Sequence, residues 1–247
     1  MPDSSDLPRE LRCRQFATTQ WSLVAAAADA DHNASRQALA ALCDAYWYPV
    51  YAYVRRRVSD RHAAQDLTQG FFSHLLEKQI LARADRERGR FRAFLLASVQ
   101  NFLLNEREHA RALKRGGDCQ ILSLDFTTGE SRYLLEPSHE LTAEKLFERR
   151  WVLTLLDQVL SQLRGELSES GKPEYFEQFQ AALTGEANSE HYANAAANLG
   201  ITEAAAKQAA YRLRKRYREL FREEVARTVG SREDVDQELQ LLLKSLE

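Results

Sequence analysis

The chain has 247 residues, of which 44% are apolar and 28% charged, with a formal net charge of -2. That length can bury one sizeable core or two smaller ones, and the near-absence of strand patterns points to an all-α fold: two helical domains joined by a flexible linker. A near-neutral balance excludes a generally sticky polyanion binder, so any affinity for nucleic acid must come from local patches. Cys13, Cys43 and Cys119 are odd in number and scattered, which suits neither a disulfide framework nor a metal pair. The six histidines never fall into a ligand spacing, so no metal and no cofactor is expected. No clustered nucleophile or acid–base pair argues for an enzyme. With no apolar run of spanning length and no signal-like opening, a cytoplasmic location without membrane insertion is expected.

Residues 1–33 read as a polar leader followed by a short helix, in which Thr18 or Thr19 caps and Trp21 and Val24 face inward. A first domain is expected over 34–115. Its opening helix carries the stripe Leu39, Leu42, Tyr46, Val50, Tyr53, with Pro49 expected to kink or restart it. The aromatic cluster Tyr46, Trp47, Tyr48, Tyr51 and Tyr53 can serve as a core or as a base-stacking platform, and helical spacing favours the core. Arg55, Arg56 and Arg57 close the helix, where cations complement its dipole.

Ser59 or Asp60 should cap the next helix, whose buried stripe is Leu67, Phe71, Leu75 and Leu76. Asp66, Gln69, Gly70 and Ser73 lie on its other side. Phe72 sits at the edge of the stripe, either a shoulder of the core or an anchor for a partner helix. A long helix then places Phe91, Leu95, Val99, Phe102 and Leu103 inside. Its outer face offers Arg92, Gln100, Asn101, Asn105, Arg107, Arg111 and Lys114. Residues 83–115 hold nine basic and four acidic residues with amides between them, the chemistry of a face that tracks a single strand.

The stretch 116–141 is expected to be a flexible acidic linker, with Asp118, Asp125, Glu130, Glu136 and Glu140 against Arg132. The second domain is expected over 142–228. Thr142 caps a helix whose Phe147, Trp151, Leu155, Val159 and Leu163 should form its core, and Pro173 starts a helix that adds Phe176, Phe179 and Leu183. Within 191–221 two helices meet at Gly200, with the small Ala196 four residues earlier and Thr202 placed to cap the second of them. This is the pattern of a helix-turn-helix. Ala206, Ala210, Leu213, Tyr217 and Leu220 face inward, leaving Ala204, Lys207, Gln208, Tyr211, Arg212 and Lys215 opposite, with Thr202 at the start. Between Glu203 and Arg222 seven basic residues face two acidic ones, so this face suits a DNA major groove. The amphipathic, acidic tail 229–247 reads as an interaction helix or as a cap on the second domain.

The segment AQDLTQGFF at 64–72, the basic helix with Gln100 and Asn101, the linker and the C-terminal helix-turn-helix together resemble a bacterial RNA polymerase sigma factor of the extracytoplasmic-function type. The resemblance covers about 35–115 and 145–228. FATTQWSLV and YRLRKRYRELFREEVARTV further resemble its planctomycete-type branch. Asp66, Gln69 and Phe72 match the family motif, whereas Gln65 and Gly70 depart from it, and Phe94 stands where many relatives have Trp. The resemblance implies that Asp66, Gln69 and Phe72 dock on the clamp helices of core RNA polymerase. It implies that Asn101, Asn105, Arg107 and Arg111, with Arg92 and Lys114 on the same face, hold the melted promoter strand. The C-terminal domain would read duplex promoter DNA and touch the polymerase flap, and an anti-sigma factor or other regulatory partner would fit the family. The other reading is a helix-turn-helix regulator that binds DNA without polymerase; it accounts for 191–221 and leaves 64–115 unexplained.

Overall fold

The computed structural model describes residues 32–77, 90–112, 124–136, 141–185, 188–231 and 233–246. Among these, all regular structure is helical, and the chain divides into two compact units. One holds the residues up to Val152 together with those from Arg227 onward; the other runs from Leu153 to Ala226. The expected leader helix with Trp21 and Val24 lies outside the described residues.

The first unit opens with α1 (His32–Arg57), which runs through Pro49 without interruption. The proline removes one helical hydrogen bond, but residues 50–54 are completely buried, and tertiary packing outweighs the local loss. Asp60 caps α2 (Arg61–Glu77), its Oδ1 accepting the Ala63 N–H at 2.7 Å. α2 packs on α1 and on α3 (Phe91–Ala112). Gly70 has a physical reason here: a Cβ at that position would lie 3.3 Å from the Phe102 ring, so glycine lets α3 come close.

Much of the segment expected to be a flexible linker is folded. Asp125 accepts the Thr128 N–H and starts α4 (Phe126–Leu134), which docks on α1. Thr142 then caps α5 (Ala143–Glu169), its Oγ1 accepting the Lys145 N–H at 3.2 Å. The first ten residues of α5 belong to this unit, and the largest buried ring among the described residues goes with them: Trp151 stacks on Tyr46 with centroids 4.2 Å apart. Phe147 and Trp151, expected in the core of a second domain, therefore pack with α1 instead. A stripe of apolar residues on a long helix fixes which face is buried, not which partner covers it.

The C-terminal α9 (Asp234–Lys244) also belongs to the first unit, whereas a cap on the second domain was one of the two expectations for the tail. It buries Val235, Glu238 and Leu242, and just before it the Thr228 carbonyl accepts the Phe91 N–H at 2.9 Å.

The second unit takes residues 153–169 of α5, α6 (Pro173–Leu183), α7 (Ser189–Leu199) and α8 (Glu203–Ala226). Leu155, Val159, Leu163, Phe176, Phe179, Ala206, Ala210 and Leu213 are buried in it, as their spacing predicts. α8 packs on both α6 and α7.

Candidate nucleic-acid interface

The corner between α7 and α8 is built from local chemistry. Asn188 opens α7 by accepting the His191 N–H at 2.8 Å. Gly200 ends it in the left-handed region at φ 64°, and its N–H points back to the carbonyls of Ala196 and Ala197. Ile201 adds a bond to the Ala196 carbonyl at 3.0 Å. Thr202 Oγ1 then accepts the Ala205 N–H at 3.2 Å and α8 begins. Three residues thus join the two helices, and Ala195 and Ala196 are buried where the helices meet.

Thr202, Ala204, Lys207, Gln208, Tyr211, Arg212 and Lys215 are all exposed. Tyr211 is 62% exposed, an unusual position for a large ring. Lys207 pairs with Glu203 at 2.6 Å and Lys215 approaches Glu219 at 3.9 Å, both across one helical turn. Such exposed pairs are worth a few tenths of a kcal/mol and yield readily to a polyanion. Further along the same side, Tyr211, Arg214, Lys215, Arg218 and Arg222, with the acidic Glu219 among them, line a depression of about 490 Å³. Sequence reasoning passed over Arg214 and Arg218, although they continue the stripe of Tyr211 and Lys215 at i+3 and i+7 from Tyr211.

Arg216 of this helix has a structural use. It grips Glu166 of α5 through two bonds, Nε at 2.9 Å and Nη2 at 2.7 Å. The fork-shaped pair holds Glu166 below the ordinary carboxylate range and raises Arg216 further, chiefly through these hydrogen bonds.

In the first unit the expected residues separate. Asn101, Asn105 and Arg107 of α3 are exposed, as is Asp66 of α2, while Gln69 is half-buried. Lys114 and the side chain of Arg111 lie outside the described residues. Three expectations are corrected. Arg92 is buried: its guanidinium meets Glu238 of α9 at 3.2 Å and Glu148 of α5 at 2.6 Å, so it is engaged inside the unit and does not face a strand. Phe72 is 1% exposed and packs edge-on against Phe71, so it is core and offers no ring to a partner. Ser73, expected on the outer side of α2, is buried as well.

Among the described residues of this unit, three carboxylates are buried against cations. Glu238 of α9 meets Arg90 at 2.8 Å in addition to Arg92. Glu130 of α4 accepts from the Tyr51 hydroxyl and from Arg55 at 3.2 Å. Glu136 accepts from Tyr48 at 3.3 Å and pairs with Arg150. Burial would push Glu130 up, but the Tyr51 and Arg55 hydrogen bonds and the Arg55 charge outweigh it and hold the carboxyl below its ordinary value. Burial in turn pushes the Tyr48 hydroxyl up to about 12.

Among the described residues no group of three or more His, Cys, Asp or Glu could hold a metal ion. No helix among them is long and apolar enough to cross a membrane. Comparison with known proteins finds no family model that matches the chain, and neither a curated protein nor a solved structure matches it.

Proposed function

We propose that this protein is a promoter-specificity subunit of the sigma type, in which α7 and α8 form a helix-turn-helix and α8 enters the major groove of promoter DNA. The observation that carries this reading is the outer face of α8: a capped helix following a left-handed glycine corner, with Lys207, Gln208, Tyr211, Arg212 and Lys215 all at the solvent. Lysine and arginine reach phosphates and guanine edges, and glutamine pairs with adenine, so the face carries both anchoring and readout chemistry. In the first unit Asn101, Asn105 and Arg107 offer donors to unstacked bases, and Asp66 with Gln69 is the remaining site for core polymerase.

Run-off transcription with purified core RNA polymerase, with and without the chain, tests the proposal. Promoter-dependent transcripts only in its presence are expected, and no stimulation on any promoter library would end it. A second reading, a helix-turn-helix regulator acting without polymerase, gains support from the burial of Phe72 and Arg92, which removes two residues the sigma reading uses. Tight, sequence-specific duplex binding by the chain alone, with no affinity for core polymerase, would favour that reading.

A further inference from the structure

The way α4 is attached to α1 is unusual for a packed helix. Its buried residues are Gly129 and Glu130, a residue without a side chain and a charged one. Its two large aliphatic residues at the far end, Leu134 and the adjoining Leu135, are 72% and 84% exposed. The helix is nine residues long, too short to be stable by itself. What holds it is charge: Glu130 on Arg55 and Tyr51, and Glu136 just beyond it on Tyr48 and Arg150. Rings complete the seat, with Trp47 edge-on to Phe126 at 5.7 Å and Arg132 over the Tyr48 ring at 4.1 Å.

The covered surface of α1 therefore presents Trp47, Tyr48, Tyr51 and Arg55 along one side of a helix. Spaced aromatic rings with an arginine are what a flexible strand of nucleotides uses, bases on rings and phosphates on the guanidinium. From Trp47 to Arg55 the helix rises about 12 Å, room for two or three nucleotides. We propose that α4 with the two residues after it is a displaceable acidic strap over a single-strand nucleic-acid site on α1, Glu130 and Glu136 standing where phosphates would bind. The site shares no residue with the α3 face, and it stands apart from the polymerase reading: a chain with no part in transcription would still possess it. While the strap is docked, the site's apparent affinity is reduced by the fraction of molecules in which it is closed.

Two kinds of variant open the strap by different physics. Glu130→Gln with Glu136→Gln removes its charge. Gly129→Leu removes its fit, since even a Cβ there would lie 2.6 Å from the Trp47 ring. The full chain is titrated with a fluorescein-labelled fifteen-residue oligothymidine while amide exchange across 126–134 reports docking. Faster exchange with roughly tenfold tighter oligothymidine binding is expected for both variants, and adding Arg55→Ala should abolish the gain. Faster exchange without tighter binding overturns the proposal, as does a gain that survives Arg55→Ala or an equal gain for polyglutamate. Should Gly129→Leu lose helical content, the unmodified chain decides. Saturating oligothymidine must then accelerate exchange across 126–134; unchanged or greater protection refutes the strap.

Discussion

Arginines and lysines meet opposite fates in the two units. In the first, Arg55, Arg90, Arg92 and Arg150 are turned onto Glu130, Glu136, Glu148 and Glu238, carboxylates that arrive from other segments of the unit. In the second, α8 turns Arg216 onto Glu166 of α5, while Lys207, Arg212, Lys215 and Arg218 stand on its outer side. A basic run can therefore mean two different things. Residues 83–115 and 203–222 are both cation-rich in sequence, yet among the described residues Arg90 and Arg92 are taken up by long-range ion pairs, whereas Lys207 and Lys215 meet only carboxylates of their own helix. In the first, Glu238 lies 146 residues beyond Arg92 and could not be paired with it by any local rule.

The largest effect should come from breaking a buried pair where charges are consumed. Glu238→Ala leaves the half-buried Arg90 without its carboxylate and the buried Arg92 with Glu148 alone, and should cost about 3 kcal/mol of unfolding free energy in urea titrations. A loss under about 1 kcal/mol would mean that water already reaches these groups.

On the other side of the comparison, Lys207→Ala with Arg212→Ala should leave stability within about 0.5 kcal/mol, because both residues are exposed. Their duplex affinity should fall by about 1–3 kcal/mol, and the slope of log affinity against log salt should shrink by about 0.9 for each phosphate no longer neutralised. Unaltered binding to promoter duplex would remove the groove assignment for α8. Core polymerase pull-down should be unaffected, which separates recognition from assembly.

Gly200→Ala should lower stability by about 1 kcal/mol, because φ 64° is unfavourable for a residue with a Cβ, even though open space surrounds the position. Gly165, inside α5 with open space around it, should instead gain about 0.5–1 kcal/mol from the same change. Thermal unfolding of the two variants side by side checks the pair.

The smallest test is acid. Glu130 has its carboxyl lowered in the folded chain by Tyr51 and Arg55, with Arg61 contributing, so its stabilisation is complete above the ordinary value of 4.5. It is lost as pH falls through the depressed value, because the unfolded chain then binds more protons. The neighbouring Glu136 faces Tyr48 and Arg150. The difference in unfolding free energy between the unmodified chain and Glu130→Gln should therefore be constant near neutrality and vanish in acid. A difference that grows as pH falls would show that the bond is not made by the carboxylate.

Much was legible from residue order because the governing rules are local. The helical class, the caps at Asp60, Thr142 and Thr202, the left-handed corner at Gly200 and the inward stripe of α8 all depend on side chains within four residues of one another. The exposed face of α8 follows by subtraction once that stripe is known. Tertiary structure alone decided the rest. It turned an acidic linker into α4, moved Phe147, Trp151 and the C-terminal helix into the first unit, and took Phe72 and Arg92 out of contention as surface residues. The reason is physical: a helical period says which side of a helix seeks cover, but the partner that covers it, and the carboxylate that neutralises a given arginine, are chosen by long-range packing that no local spacing encodes.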